Sequence, residues 1–443
     1  MVQQITKMSG GIHPPQRKNT AEMPTKTMPS PEKVSIVMSQ HIGAICEPTV
    51  AVGDEVFVGT VVGNTDKFVS VPIHSSVSGQ VCLIRNMLLP RKSIVTIVQI
   101  ASDGKDTLDP GIKPPKINSK EDFIAAIKSS GLVGLGGAGF PTWLKLSPPP
   151  EKHIDTLIIN AIECEPYITC DYRQAIEGSD DLMAGIAAVQ KYLDIKNIII
   201  AIKDDKKEAI GSLQKSLEKV AENVRSTTLI RPLKSVYPLG AEKVLIKILT
   251  GKEMMLNKIP ADVGCLVMNI TTVSFISQYL KTGIPLTHKR ITLDGSAILN
   301  PQNVMVPIGT SIKDLINFTG GYKTPAGKII AGGPMTGIAI DSQHVPLMKP
   351  DNAVIAMSIK DAGHEEFTNC IRCGRCNDAC PMNLMPSSLE DKLKANDSEG
   401  LKKHGALVCM ECGCCAYVCP ARRPLLQTMK LAKERARHFG NPS

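Results

Sequence analysis

The sequence predicts a multidomain fold that combines α/β and β domains and ends in an α-helical, cysteine-rich module. The 443 residues exceed the size of one ordinary domain. Strand-like and helix-like patterns alternate through the middle of the chain, and nine of the 14 cysteines fall between Cys370 and Cys419. We expect five segments: an irregular leader at 1–31, a β-rich domain at 32–115, an α/β domain at 116–285, a small β domain at 286–345, and a cysteine-rich domain with a basic C-terminal helix at 346–443.

Short Val/Ile runs broken by glycines predict β-structure over residues 34–102. Within this stretch, residues 52–59 and 77–81 resemble the hairpins of biotinyl- and lipoyl-type domains, which implies a barrel-sandwich hybrid fold. The lysine-bearing tip of a carrier domain is absent. We therefore expect a structural relative that carries no acyl group.

The next two domains are predicted from the alternation of helix and strand patterns. Helical patterns at 121–130, 182–193 and 206–220 alternate with strand patterns at 153–161 and 198–202, which predicts a largely parallel sheet. A β-grasp domain is predicted from three short strand patterns around one helical pattern, and these lie at 291–293, 304–306, 312–318 (the helix) and 329–330.

The composition argues against two classes of protein. Aromatic residues make up only 4% of the chain, which disfavours an aromatic nucleic-acid platform. No apolar run reaches the roughly 18–20 residues of a membrane span. The net charge of +9 suits either a solvated surface or one that docks onto an acidic partner. With no apolar signal region at the N-terminus, we expect a cytoplasmic chain that meets a membrane only peripherally.

Two cysteine motifs repeat with an offset of 39 residues. Each has the spacing Cys-x-x-Cys-x-x-Cys-x-x-x-Cys-Pro of bacterial ferredoxins, in which the fourth cysteine binds the other cluster. Zinc sites normally use two separated Cys-x-x-Cys knuckles, so the spacing favours iron and sulfur. Cys414 is expected to be a buried free thiol. We expect two 4Fe–4S clusters, one bound by Cys370, Cys373, Cys376 and Cys419, the other by Cys409, Cys412, Cys415 and Cys380.

A loop at 131–141 holds five glycines within its first nine positions, 131–139. Its letters satisfy the dinucleotide fingerprint G-x-G-x-x-G, but that fingerprint needs a strand before the loop and a helix after it. Here the patterns predict a helix before the loop, and Pro141 and a strand after it. We therefore reject the dinucleotide fingerprint and expect backbone N–H groups that approach a phosphate or a flavin closely.

The loop carries a resemblance to a known family. Residues 134–142, with Lys145, resemble the FMN loop of the NADH-oxidising flavoprotein subunit of respiratory complex I. Three further segments are similar to other motifs of that family: 160–166, 237–242 and 269–272. Together with the barrel-sandwich start, the β-grasp domain and the twin cysteine motifs, the architecture resembles the C subunits of Rnf electron-transport complexes over residues 34–430.

This resemblance implies a flavin site and a nucleotide site. The residues that it implies for FMN are Gly134, Gly136, Gly137, Ala138, Lys145, Asn160, Glu163, Tyr237, Gly240, Asn269 and Thr272. The residues that it implies for the nicotinamide nucleotide are Phe140, Glu165 and Glu242.

The function implied is to accept two electrons together, as a hydride, and to release them one at a time. FMN suits this role because it can pass the two electrons on singly. The resemblance implies a peripheral, NADH-reactive subunit at the cytoplasmic side of the membrane. Its partners would be other subunits of an ion-translocating ferredoxin:NAD oxidoreductase, especially an iron–sulfur subunit. Two alternatives remain: a soluble reductase of the same superfamily that serves cobalamin or proline reduction, and a non-catalytic electron carrier, which Ile162 and Met268 at flavin-contact positions favour.

Overall fold

The computed structural model describes residues 8–90, 94–256, 258–363 and 366–439. Within these ranges, no helix combines the length and the apolar character needed to cross a membrane. From residue 8 onward, where its description begins, the leader has little regular structure, and its one strand there is β1 (Lys26–Thr27). That strand pairs with a later domain rather than with the β-rich domain that follows it.

The β-rich domain consists of two antiparallel sheets around one core. Its strands are β2 (Lys33–Val37), β3 (Glu47–Pro48), β4 (Glu55–Val56), β5 (Val61–Asn64), β6 (Ile73–His74), β7 (Gly79–Leu88) and β8 (Ile94–Ser102). The sheets have the orders β2-β8-β7-β4 and β3-β5-β6. Ile36 and Ile100 from the first sheet meet Val62 and Ile73 from the second in a shared apolar core. The predicted sandwich architecture is confirmed.

The α/β domain follows the predicted alternation. Its elements are α1 (Lys120–Ser129), α2 (Thr142–Leu146), β9 (Thr156–Ala161), α3 (Cys170–Glu177), α4 (Ser179–Leu193), β10 (Asn197–Lys203), α5 (Lys207–Glu218), α6 (Glu222–Arg225), β11 (Thr228–Leu233), α7 (Glu242–Thr250), a 3₁₀ turn (Pro260–Val263), β12 (Cys265–Asn269) and α8 (Ile270–Thr282). The strands form a parallel sheet of order β11-β10-β9-β12, which confirms the predicted parallel topology.

Helices cover both faces of this sheet, as is usual for parallel sheets. Successive side chains of a strand point to opposite faces. In β9, Leu157 and Ile159 therefore pack with α4 and α8, whereas Ile158 packs with α7 on the other face. The burial of both faces leaves the ends of the strands as the place where polar groups can gather.

The segment between the glycine-rich loop and β9 contains a helix that the sequence did not predict. Thr142–Leu146 form the short helix α2, and β9 follows at Thr156, within the predicted strand pattern at 153–161. Trp143 and Leu146, three residues apart, share one face of this helix and are buried. A helix, α1, still precedes the loop, so the dinucleotide fingerprint remains rejected.

The β-grasp domain is larger than the sequence indicated. It contains β13 (His288–Asp294), β14 (Gln302–Pro307), α9 (Ile312–Phe318), β15 (Ala326–Ala331), β16 (Ile338–Ile340) and β17 (Ala353–Ser358). Its sheet has the order β1-β14-β13-β17-β15-β16. It extends past both predicted limits, 286 and 345, because β1 of the leader pairs with β14 and because residues 353–356, all fully buried, form a strand between β13 and β15.

The cysteine-rich domain is helical, as predicted. It contains α10 (Arg375–Asp378), α11 (Pro386–Lys394), α12 (Ser398–Lys403), a 3₁₀ turn (Ala406–Val408), α13 (Cys414–Tyr417) and α14 (Leu425–His438). The last helix has the predicted bounds. Its apolar residues Met429, Ala432 and Ala436 are buried in one core with Leu389 of α11 and Leu401 of α12. The apolar side of the basic helix is therefore used within the domain.

The packing of α4 against α8 gives a test of the fold. A Cβ atom on Gly185 of α4 would lie 2.0 Å from the Val273 carbonyl oxygen of α8, so Gly185→Ala must push the helices apart. We expect the free energy of unfolding to fall by about 1–3 kcal/mol, measured by denaturant unfolding followed by circular dichroism.

Gly211 of α5 is the matched control for this change. A Cβ atom there meets nothing within 4 Å, so Gly211→Ala should be neutral or stabilise by up to about 1 kcal/mol. Equal stability of the two variants would contradict the close α4–α8 contact.

Candidate functional site

The carboxyl edge of the parallel sheet brings predicted site residues together. Asn160 of β9 and Asn269 at the end of β12 are direct neighbours in the parallel register. Ligands of open α/β sheets bind outside the carboxyl ends of the strands. The register of two strands thus places two polar residues where a ligand is expected.

The glycine-rich loop forms a cradle at this edge. It is closed by two main-chain hydrogen bonds, from Gly134 N–H to the Phe140 carbonyl (2.8 Å) and from Gly139 N–H to the Gly134 carbonyl (3.2 Å). Residues 136–138 between these bonds are exposed, and their N–H groups have no acceptor among the described residues. Successive unpaired N–H groups of this kind attract an anion.

Two glycines define the closed and open sides of the cradle. A Cβ atom on Gly136 would lie 3.2 Å from the Asn269 side chain, so this side packs closely on the sheet edge. Gly137 has a φ of +111°, and a Cβ atom there would meet nothing within 4 Å. A side chain at Gly137 would be strained and would enter the open space in front of the N–H groups.

Thr272 and Asn269 hold the cradle in place. The Oγ1 atom of Thr272 accepts a hydrogen bond from Leu135 N–H (2.9 Å). Asn269 caps α8 by accepting from Thr271 N–H (2.9 Å), and its Nδ2 donates to Asp171 Oδ2 (2.7 Å). Sequence reasoning did not assign a role to Asp171, although it lies at the end of the acidic segment that follows β9.

Asn160, Gly240 and Tyr237 connect the sheet edge to the segment before α7. Asn160 Nδ2 donates to the Gly240 carbonyl (2.8 Å), and a Cβ atom on Gly240 would lie 3.3 Å from Cys164 Sγ. Tyr237 is only 3% exposed. Its hydroxyl donates to the Cys412 carbonyl (2.7 Å), so its ring extends toward the cysteine-rich domain rather than standing free at the cradle.

The two glutamates after β9 form hydrogen bonds within the protein. Glu163 accepts from Asp171 N–H (2.7 Å) at the start of α3, and burial raises the pKa of its carboxyl to about 7. Glu165 accepts from Met335 N–H (3.0 Å) and from the Thr336 hydroxyl (2.6 Å). Main-chain donors at a helix start and at a β-grasp turn therefore determine where these two carboxylates point.

Lys145 and Glu242 form an ion pair with Nζ and Oε1 2.8 Å apart, and their side chains are 31% and 37% exposed. The ammonium group also donates to the Val267 carbonyl (3.1 Å) in the neighbouring strand β12. Phe140 is half-buried at the end of the cradle. This pair is accessible to a charged ligand, whereas the acids after β9 are already bonded.

The eight cysteines predicted as cluster ligands line two cavities. The first cavity has about 390 Å³ of open space, and its cysteines are Cys370, Cys373, Cys376 and Cys419. The second has about 380 Å³, and its cysteines are Cys380, Cys409, Cys412, Cys414 and Cys415. Each cavity thus receives one cysteine from the opposite motif.

The two cavities differ in exposure. Cys370 and Cys373 of the first cavity are exposed, whereas Cys414 of the second is fully buried. The thiols spread over the cavity walls. In the described ranges, no three His, Cys, Asp or Glu side chains gather as they would around a single metal ion.

The leader fastens the cysteine-rich domain to the sheet edge. Gly11 N–H donates to the Ala379 carbonyl (3.0 Å), one residue before Cys380. Further along, the Lys18 ammonium donates to three carbonyls of segment 163–168, with 2.7 Å to that of Glu165. No sequence pattern marked Lys18, because a single lysine in an irregular segment carries no signal of burial.

Comparisons with protein families divide the chain in the same order. Four family models match: the RnfC barrel-sandwich hybrid domain at residues 6–105, the Nuo51 FMN-binding domain at 127–278, the SLBB domain at 290–339 and the 4Fe-4S dicluster domain at 369–422. The chain therefore carries an FMN-binding domain and a 4Fe–4S dicluster domain, as the sequence predicted. The cradle lies inside the match to the FMN-binding domain, and the cysteines of both cavities lie inside the match to the dicluster domain.

Two crystal structures of an NAD⁺-reducing [NiFe]-hydrogenase share part of this fold. The H₂-reduced state has a TM-score of 0.52 at 17% identity and covers 72% of this chain and 63% of that one. The air-oxidised state has a TM-score of 0.54 at 17% identity and covers 74% and 69%. At this identity the likeness concerns the fold alone.

Curated relatives match over nearly the whole chain. The C subunit of the proton-translocating ferredoxin:NAD(+) oxidoreductase complex of Clostridium ljungdahlii is 41% identical over 87% of this chain and 84% of its own. The C subunit of the Na(+)-translocating complex of Acetobacterium woodii is 40% identical over 96% of both chains. Because this level of identity extends across all four matched domains, the chain belongs to the family of C subunits of ion-translocating ferredoxin:NAD(+) oxidoreductase complexes.

Proposed function

We propose that this chain is the NAD(H)-reactive subunit of an ion-translocating ferredoxin:NAD oxidoreductase. It is an oxidoreductase subunit that binds FMN at the glycine cradle and one 4Fe–4S cluster in each thiol-lined cavity. One observation carries the proposal: the Tyr237 hydroxyl donates to the Cys412 carbonyl over 2.7 Å. This bond joins the domain with the cradle directly to the wall of the second cavity.

The residues at the sheet edge suit a phosphorylated flavin. Bound FMN would supply the chemistry that accepts a hydride and releases electrons singly. The N–H groups of residues 136–138 would bind its phosphate, and Lys145 would contribute positive charge that its pairing with Glu242 offsets in part. Asn160, Glu163, Gly240, Asn269 and Thr272 would shape and brace the flavin site. Phe140, Glu242 and, from its bonded position at the β-grasp turn, Glu165 are the residues that we assign to the nicotinamide nucleotide.

The cavities have an order that suits electron transfer to a partner. The second cavity lies on the side of the α/β domain, since Tyr237 bonds to Cys412 in its wall and Gly11 of the leader bonds to Ala379, beside Cys380 of the same wall. The first cavity opens at the surface, where Ile371 and Phe367 are 66% and 62% exposed. We assign the second cavity to the inner cluster and the first cavity to the outer cluster that faces a partner.

The partners follow from the relatives, whose names place each of them in a larger oxidoreductase complex. We assign this chain to such a complex, at the cytoplasmic side of the membrane and held there by other subunits. An iron–sulfur subunit is the electron partner that the outer cavity would face. The net charge of +9 favours docking onto acidic protein surfaces.

Anaerobic titration with NADH tests the proposed function. The purified chain, reconstituted with FMN, iron and sulfide, should take up about four electron equivalents, two on the flavin and one on each cluster. Bleaching of the flavin and cluster absorbance counts them. Uptake of only two equivalents, with both clusters present, would show that electrons do not pass from the flavin site to the cavities.

Substitution of Gly137 tests the cradle. Gly137→Val places a branched side chain in the open space in front of the N–H groups, so we expect loss of FMN after gel filtration. Gly53→Val is the matched control, because Gly53 also has a positive φ (+100°) with nothing within 4 Å of its Cβ position, but lies in the barrel-sandwich domain. A Gly137→Val protein that retains a full complement of flavin would remove the cradle from the site.

Cysteine variants test the exchange of ligands between the motifs. Cys380→Ser should damage the cluster of the second motif, and Cys419→Ser that of the first, each leaving about four of eight irons. Cys414→Ser is the control that should keep all eight, since Cys415 preserves the register of the motif. Iron analysis and electron paramagnetic resonance read both outcomes. If each variant lost only the cluster held by the motif that contains its substitution, the exchange of the fourth ligand between the motifs would be contradicted.

A further inference from the structure

Two lysines of the β-grasp region reach under the glycine cradle. Lys289 Nζ donates to the Leu135 carbonyl (3.1 Å) and to the Lys349 carbonyl (2.7 Å). Lys349 Nζ donates to the Gly131 carbonyl (2.7 Å) and to the Pro72 carbonyl (2.9 Å). Both side chains are nearly inaccessible, at 4% and 1% exposure. The two ammonium groups thus bind two carbonyls of the loop from its buried side.

This bonding also orients the exposed side of the loop. The Leu135–Gly136 peptide is trans, so its carbonyl and its N–H point in opposite directions. Because Lys289 holds the Leu135 carbonyl toward the interior, the Gly136 N–H is directed away from it, toward the exposed side of the cradle. The first of the three unpaired N–H groups therefore takes its direction from a buried lysine.

The charge of these lysines is unusual for the protein interior. Lysine is rarely buried unless it is paired. All four hydrogen-bond acceptors here are main-chain carbonyls, and the charges of Asp171 and Asp351 offset the burial of Lys289 only in part. Burial lowers the pKa of Lys289 to about 8 and that of Lys349 to about 7. An anion bound on the other side of the same loop would offset part of this cost.

We propose that Lys289 and Lys349 are positioning residues that make the cradle select a phosphorylated flavin over an unphosphorylated one. This inference rests on the proposed FMN site and adds the source of its phosphate specificity. The lysines act through the loop, by directing its N–H groups outward and by placing positive charge behind them. The β-grasp domain thereby becomes part of the flavin site, although it contributes no group to the open face.

The test compares FMN with riboflavin, which lacks only the phosphate. The full-length apoprotein is titrated with each flavin, and dissociation constants are read from flavin fluorescence. In Lys289→Met and Lys349→Met we expect the dissociation constant for FMN to rise roughly 10- to 100-fold, while that for riboflavin changes less than about threefold. Lys289→Gln and Lys349→Gln keep a hydrogen-bond donor without the charge and replace any Met variant that does not fold.

Lys328→Met is the matched control. Lys328 lies in the same domain and donates to the Ala362 carbonyl (2.8 Å), away from the cradle, so its substitution should leave both constants unchanged. An unchanged FMN constant in the Lys289 and Lys349 variants would overturn the inference. Equal weakening of FMN and riboflavin would do so as well, since the lysines would then only support the loop.

The same titrations separate this inference from the proposed function. If the wild-type chain binds neither flavin, the FMN site itself is wrong. If the wild-type chain binds FMN, Gly137→Val does not, and both lysine variants keep the wild-type preference for FMN, the site stands and only the role of the lysines fails.

Discussion

The glycine-rich loop depends on contacts from three domains, and the candidate site depends on the loop. Glycine offers no side chain for packing, and ordering each residue costs about 1–2 kcal/mol of conformational entropy. The compensation comes from outside the loop. Ile42 N–H of the barrel-sandwich domain donates to the Gly139 carbonyl (3.0 Å), Thr272 of the α/β domain accepts from Leu135 N–H (2.9 Å), and Lys289 of the β-grasp domain donates to the Leu135 carbonyl (3.1 Å).

Three of the four domains thus meet at this loop. A loop held from three sides keeps its N–H groups in place without side chains that would obstruct a ligand. The same principle extends to the cysteine-rich domain. The β-grasp turn that binds Glu165 through Met335 N–H also approaches the second cysteine motif, where a Cβ atom on Gly413 would lie 2.9 Å from the Met335 carbonyl.

Local patterns predicted much of this architecture. Helical patterns placed α9 and α14 at their observed bounds, because these helices follow from hydrophobic periodicity. The alternation of helix and strand patterns predicted the parallel sheet. The helix α2 was missed, since five residues show too little periodicity. The strand β17 was missed because its short apolar run lies close to the cysteine motifs, and only its pairing with β13 and β15 assigns it to the preceding domain.

The sequence by itself determined which atoms are available: two sets of thiols at ferredoxin spacing, and a loop whose glycines leave backbone N–H groups accessible. Spacing along the chain is a covalent property, so it can be read without coordinates. Only the tertiary structure decided where Glu163, Glu165 and Tyr237 point, and that Lys289 and Lys349 lie beneath the loop. Their partners are distant in sequence, and long-range pairing depends on how the domains pack, which no local pattern records.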